Sequence, residues 1–415
     1  MKILVISAAY PPMHAGESAN AHHLCTRLAQ RGLDVHVLTS IGNSGADDAG
    51  VTVHPVMERW SWREVPRLRR FLAQCAPDAI LLMYLGGMYQ YHPMMTFAPT
   101  LARRVLPGVP FVTRYESPFA GAAPIAPGLT TRILRRAAAW AAGSGVSYNS
   151  GTLLRDSDHV IVLCEGHRIV LVEDTPSVHD RIVVIPPAPN VRVSSEPAAH
   201  ARVQGRAKLG VDPDDFVIAF FGYVYPKKGI ETLLEAFQRI RRARPNARLV
   251  FIGGTIDLDA EVSGRYWDAM QQLCTELGVA DRTVWTGAFK SDGEDASLYL
   301  RAADVCVLPL HAGVQLNNSS FSAMAAHGVP IVTTRGAFTD QAFVDGDNVL
   351  LCEPRDAAAL ALAIDRLIDD VSLRQRLQQG VSQLAHDWLS WDEAIARTTA
   401  LFRTRRPTSP APAAR

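Results

Sequence analysis

The sequence has no cysteine pair at Cys-x-x-Cys spacing; its six cysteines, Cys25, Cys75, Cys164, Cys274, Cys306 and Cys352, are scattered among mostly apolar neighbours. That argues against a disulfide frame or a zinc site and favours buried thiols in a reducing cytoplasm. Thirteen histidines are present, His22 beside His23, yet none stand as His-x-x-x-His or His-Glu-x-x-His, so metal catalysis has little support and no metal is expected. No stretch is long and apolar enough to span a bilayer. The opening "MKILVISAAYPP" holds one lysine and a short apolar run ended by two prolines, which reads as a first strand and not as a signal peptide. An excess of one charge is lacking too: Lys and Arg total 42 against 41 Asp and Glu, so no global field recruits nucleic acid or an acidic polymer. Neither a Walker loop nor the Rossmann glycine pattern occurs.

What is present is the composition of a soluble globular protein, 415 residues with 48% hydrophobic and 20% charged, enough for two or three domains. In the first half, strand-like runs alternate with helical ones: "KILVIS", an amphipathic stretch over 17–31, "DVHVLTS", "VTVHPV", a stretch over 62–75, "DAILLMY", "VPFVTRY", "DHVIVLC" and "RIVVIPP". Runs rich in Val, Ile and Leu between helices imply a parallel sheet covered on both faces. The prolines of "VIPPAPN", with "SSEPAAH" soon after, read as an interdomain connector. Beyond it the alternation restarts: "FVIAFFG", a helix over 229–242, "ARLVFIG", a helix around 264–277, "RTVWTG", a helix over 294–302, "DVCVLPL", a helix over 319–327 and "VPIVTT". Residues 356–405 read as mostly helical and "RPTSPAPAAR" as a disordered tail. Two stretches, "RWSWREVPRLRR" and "TRILRRAAAWAA", mix arginine with tryptophan at helical spacing. They mark a candidate contact with an anionic membrane or, more simply, a solvated helix face over buried tryptophans.

The break in "FFGYVYPKKGIETLLEAF" carries the first functional signal. In an open α/β sheet, ligands bind beyond the carboxyl ends of the strands, where helix N-termini present unsatisfied N–H groups. Gly222 lets the backbone turn and approach a ligand, while Lys227 and Lys228 add positive charge where the helix dipole is already positive. An anion between the lysines explains them; so do two solvated turn residues. Three further loops stand at equivalent places: "AAYPPMHAGESANAHH" with Gly16 ahead of a helix, "FIGGTID" with Gly253 and Gly254, and the segment from Gly313 through Asn317, Asn318, Ser319 and Ser320. Asn and Ser at a helix start are also ordinary caps.

These fragments resemble the family 4 glycosyltransferases of the retaining GT-B type (glycosyl transferases group 1), over nearly the whole chain. "YPPMHAGESANAHHLCTRLAQRGLDVHVLTS", "RIVVIPPAPNV", "FFGYVYPKKGIETLLEAF", "WTGAF", "LYLRAADVCVLP", "SAMAAHGVPIVTT" and "FVDGDNVLLCEP" follow in the family's order. The resemblance implies an α/β fold of two Rossmann-like domains facing a cleft: residues 1–188 on the acceptor side, with a C-terminal helix over 387–405 crossing back, residues 189–386 holding the nucleotide sugar, and a tail over 406–415. It implies a nucleotide diphosphate sugar as donor substrate with no cofactor, and a glycan, lipid-linked or small-molecule acceptor. Carried over by position, Lys228 contacts the donor diphosphate and Gly16 lies near the same phosphates. Gly222, Tyr223, Gly254, Asn318, Ser319, Ser320 and Ser322 complete the donor set. On the acceptor side stand Tyr115, Glu116 and His92, with Glu116 either orienting the acceptor hydroxyl or capping a helix, and His92 either in the cleft or structural.

The chain also departs from the family. Tyr223 replaces an arginine, and the two family glutamates fall on Val314 and Ser322. The readings that follow are a retaining glycosyltransferase, a nucleotide-sugar-binding module without catalysis, and, with less behind it, a sugar nucleotide epimerase.

Overall fold

Continuous apolar runs form the strands, as expected where both faces of a sheet are covered. The computed structural model describes every residue except 14, 44–49, 119–132, 134–145, 148–149, 256–259, 290–292 and 405–415, and leaves aside the side chains of 260–263. The chain divides into two compact units, Met1–Ile185 with Ala394–Arg415, and Pro186–Glu393. The sequence placed these boundaries at 188/189 and 386/387; the tail over 406–415 and the stretch "TRILRRAAAWAA", Ile133 apart, lie outside the described residues.

In the first unit, β1 (Lys2–Ile6), β2 (Asp34–Ser40), β3 (Val51–Met57), β4 (Ala79–Tyr84), β5 (Phe111–Tyr115), β6 (His159–Val162) and β7 (Ile182–Val184) form a parallel sheet of order β3-β2-β1-β4-β5-β6-β7. All six residues of β4 are buried. Helix α1 (Gly16–Gln30) turns Ser18, Ala21, Leu24, Cys25 and Leu28 inward, the spacing of one helix face. The order reverses between β1 and β4, so the loops after these two strands diverge and leave a crevice at their carboxyl ends.

In the second unit, β8 (Phe216–Phe221), β9 (Ala247–Ile252), β10 (Thr283–Trp285), β11 (Val305–Leu308), β12 (Ile331–Thr334) and β13 (Leu350–Cys352) form a parallel sheet of order β10-β9-β8-β11-β12-β13. Its reversal lies between β8 and β11. The helix Ile230–Ala243 that follows β8 buries Leu233, Leu234, Phe237 and Ile240 against the sheet.

The structure adds elements the sequence did not disclose. Part of the proline-rich connector is the helix Ala198–Leu209, whose Arg202 and Arg206 both pair with Asp304 at the start of β11. Residues 350–352 are a strand, and the helical 356–405 region is three helices, Ala357–Asp369, Val371–Trp388 and Trp391–Leu401.

Candidate functional site

At the reversal of the second sheet, the loop after β8 and the helix after β11 touch. Gly222 has a φ of 126°, and a Cβ there would overlap Ser320 Oγ. Gly253, with a φ of 134°, approaches the Gly222 carbonyl so closely that no side chain fits between them. Val224 N–H donates to Gly254 O at 2.9 Å, which joins the β8 and β9 loops. Gly229, at φ 72°, packs on the Pro309 carbonyl. Thus Gly222, Gly254 and Ser320 of the expected donor set come together where the strand order reverses.

Lys227 and Lys228 sit on this rim. Lys227 adopts a left-handed φ of 80°, unusual for a residue with a side chain, and its carbonyl accepts from His311 N–H at 3.2 Å. Lys228 is half-buried; its Nζ lies 5.1 Å from the Tyr225 ring centroid and has no carboxylate within salt-bridge reach among the described residues. Burial lowers its ammonium to a pKa of about 8. A desolvated cation without a counter-charge is a costly arrangement unless an anion completes it. Tyr223, 45% exposed, projects from the same loop.

The helix Ser319–Ala326 begins at the same place. Asn318 is its N-cap, with Oδ1 accepting from Phe321 N–H at 3.0 Å. Its side-chain oxygen is therefore a cap, and Ser319 and Ser320 occupy the first two helical positions, whose amides have no partner within a helix. Ser322 corrects the sequence expectation. It is fully buried, and its hydroxyl is within hydrogen-bonding reach of Pro187 O at 2.9 Å and Asn318 O at 3.2 Å, so it tethers the connector and offers nothing to a donor. Val314, the other glutamate position, is fully buried as well.

In the first unit, a hollow of about 10 Å³ lies at the β1/β4 reversal between Ser7, Ala8 and Ala9 on one side and Met83, Leu85 and Met88 on the other. Two carboxylates line it, Glu17 from the first turn of α1 and Glu116 just past β5. Arg114, 3% exposed, donates from Nε to Glu116 Oε1 at 2.9 Å. Burial raises the Glu17 carboxyl, its own backbone amide lowers it, and the charge of Glu116 raises it again. Gly16 opens α1 without positive φ, and a Cβ there would meet nothing within 4 Å, so packing of the protein does not require glycine at this position. Glu17 escaped the sequence reading because an acidic residue in a first turn looks like ordinary dipole compensation.

Two expected acceptor-side residues are structural. Tyr115 belongs to the core, 4% exposed, with its ring 5.1 Å from that of Tyr84 and its hydroxyl 3.3 Å from Ser150 Oγ. His92 caps a short helix, Nδ1 accepting from Met94 N–H at 3.1 Å, and packs edge-on to Trp62. Of the arginine–tryptophan stretch 59–70, Trp60 is buried with Nε1 donating to Ser40 Oγ at 2.8 Å and Trp62 packs on Phe97, leaving Arg59, Arg63, Arg69 and Arg70 as the exposed arginines.

Comparison with known proteins joins these features. Residues 16–192 match the family model described as Glycosyltransferase Family 4, and residues 215–370 match that described as Glycosyl transferases group 1. The chain belongs to glycosyltransferase family 4. A relative from Thermomonospora curvata, D-inositol 3-phosphate glycosyltransferase, is 30% identical over 51% of this chain and 48% of its own length. The GDP-mannose-dependent alpha-(1-6)-phosphatidylinositol monomannoside mannosyltransferase of Mycolicibacterium smegmatis is 28% identical over 52% of this chain and 54% of its own. The chain thus spans about half the length of the curated relatives it matches. A glycosyltransferase from Rickettsia africae shares the fold at TM-score 0.73 and 12% identity over 97% of both chains. Anabaena HepE, solved with UDP and glucose, shares it at TM-score 0.69 and 16% identity over 97% of this chain and 99% of that one. The family 4 chain described here thus has two Rossmann-like units of the GT-B class.

Proposed function

We propose that this family 4 chain transfers a glycosyl group from a nucleotide diphosphate sugar to an acceptor hydroxyl, with retention of anomeric configuration. The observation that carries this reading is Lys228, a half-buried ammonium without a carboxylate partner among the described residues, at the mouth of the helix following β8. A diphosphate supplies the missing counter-charge. When the anomeric carbon–oxygen bond to phosphate breaks and the acceptor oxygen–carbon bond forms, negative charge grows on the departing phosphate. Lys228 and the first-turn amides of Ser319 and Ser320, which have no acceptor within their own helix, would stabilise it. Gly222 and Gly254 keep side chains out of this approach, and Tyr223 flanks it. In this reading no metal or cofactor is needed, since Lys228 and the helix N-terminus do the electrostatic work that a cation does elsewhere. Glu116, held by Arg114, orients the acceptor hydroxyl. The acceptor is a glycan, a lipid-linked sugar or a small molecule, and the protein works in the cytoplasm, with its exposed arginines as the route to peripheral contact with an anionic membrane.

A second reading, a nucleotide-sugar-binding module without turnover, draws on Val314 and Ser322, both buried, standing where the family resemblance places two glutamates, and on Tyr223 standing where it places an arginine. One experiment separates the two: thermal shift and nucleotide release with UDP-, GDP-, ADP- and TDP-sugars, wild type against Lys228→Ala. UDP- and GDP-sugars head the panel because HepE was solved with UDP and the M. smegmatis relative is GDP-mannose-dependent. A donor that stabilises and is consumed by wild type, and does neither with the variant, supports the transferase; stabilisation without consumption supports the module; no shift with any donor overturns both.

A further inference from the structure

The hollow beside β1 and β4 holds about 10 Å³, the space of one water or one hydroxyl. Among the described residues its lining contains two carboxylates, Glu17 and Glu116, and no cation. Arg114, which holds Glu116, has its Nη2 buried and without a hydrogen-bond partner among the described residues. Arg114 stands opposite Met83 in the parallel β4–β5 ladder, and residues paired in a parallel ladder send their side chains to the same face. Met83 lines the hollow and Glu116 takes the Arg114 Nε bond, so the unpartnered guanidinium nitrogen is on the hollow's face of the sheet.

The polar side chains that line the hollow are the Glu17 and Glu116 carboxylates and Ser7, whose hydroxyl is spent on Ala9 O at 2.7 Å, while Arg114, held on Glu116 and not itself in the lining, brings one unused donor to the same face. A hydroxyl matches this set because it donates and accepts at once, donating to a carboxylate and accepting from Nη2. A phosphate has only acceptors and meets two like charges.

Resting on the proposed function, we propose that Glu17, Glu116 and Arg114 form a subsite for a hydroxyl of an uncharged sugar or polyol acceptor. Glu17 excludes acceptors that carry a phosphate next to that hydroxyl. Glu17 is then a specificity-determining residue.

The test uses the full chain with whichever donor the thermal-shift panel selects, and measures acceptor-stimulated nucleotide release. The acceptor probes are myo-inositol and methyl mannoside, each against its monophosphate. Wild type should respond to the neutral member at least about tenfold better than to its phosphorylated partner. Glu17→Gln, nearly isosteric and half-exposed, should shrink that ratio to within about threefold, and Glu17→Lys should invert it. Both variants are checked for an unchanged melting temperature; should Glu17→Lys unfold, Glu17→Gln still decides. A wild-type preference for the phosphorylated probe, no response to either neutral probe, or a ratio untouched by Glu17→Gln overturns the subsite. Since donor binding is measured without acceptor, its failure would sink the proposed function, whereas donor consumption with an unselective acceptor response would sink only the subsite.

Discussion

His327 Nε2 lies 2.8 Å from Ser297 Oγ, which in turn accepts the amide of Ser194 at 2.8 Å. Nδ1 is 2.7 Å from Ala323 O, so Nδ1 carries the proton, Nε2 accepts from the serine hydroxyl, and the ring is neutral. This chain ties the connector to two helices of the second unit. Burial pushes the imidazole down to about 4, although the Ala323 carbonyl acts upward and Arg301 again downward.

The sign of the pH dependence follows. Below pH 6.5 the unfolded imidazole takes a proton that the folded ring refuses, so stability present above 6.5 drains away as pH falls towards 4. The total is about 3 kcal/mol, at about 1.4 kcal/mol per factor of ten in proton affinity. Urea unfolding of wild type and His327→Gln at pH 7 and pH 4.5 checks this. His167, also lowered to about 4 by burial, contributes equally to both proteins. Equal losses in the two would remove His327 as the titrating group.

Glycine has different roles at Gly229 and Gly16. Gly229 holds φ 72° against the Pro309 carbonyl, so Gly229→Ala should destabilise by roughly 2 kcal/mol or more, read as a lower melting temperature. Gly16→Ala meets no atom within 4 Å and should leave the melting temperature unchanged while weakening nucleotide-sugar consumption. A stability loss at Gly16 would contradict the open space seen there.

Asn318 acts through its cap bond to Phe321 N–H. Asn318→Ala should cost about 1 kcal/mol and Asn318→Asp much less, because aspartate caps as well. The readout that distinguishes a cap from a ligand contact is nucleotide affinity: Asn318→Asp should keep the fold but weaken the anion, since its charge sits at the helix end where phosphate is proposed to bind.

The strands of both sheets could be read from the sequence because buried parallel strands are apolar on both faces. The helix Ala198–Leu209 was hidden because Pro197 and the serines before it look like linker, and Arg202 and Arg206 show their pairing role only once Asp304 is placed beside them. In the site, Gly222 and Lys228 were legible, since a glycine–lysine break after an apolar run has a direct physical reading. Ser322 was not: a position aligned with a ligand contact carries no information about burial. Nor did the sequence show that Tyr115 lies in the core or that His92 caps a short helix. Glu17 required the hollow itself, because a helical first turn hides which side of the residue faces a cavity.

Lys228 has the most direct pH signature. Its ammonium is half-buried with no carboxylate partner among the described residues, and burial places its pKa near 8. Removing it as Lys228→Met takes away an uncompensated charge, so the apo protein should be as stable as wild type or more so, while nucleotide diphosphate affinity falls by tenfold or more, roughly the loss of one charge-assisted hydrogen bond. The bound phosphate favours the protonated amine, so binding is full while the free lysine is charged and declines as pH rises through about 8. Calorimetric titration of the selected nucleotide diphosphate between pH 7 and 9.5 should show affinity falling by up to tenfold per pH unit above that point in wild type and staying flat in Lys228→Met. A flat wild-type profile would place the phosphate away from Lys228, and a matching fall in the variant would assign the titration to another group.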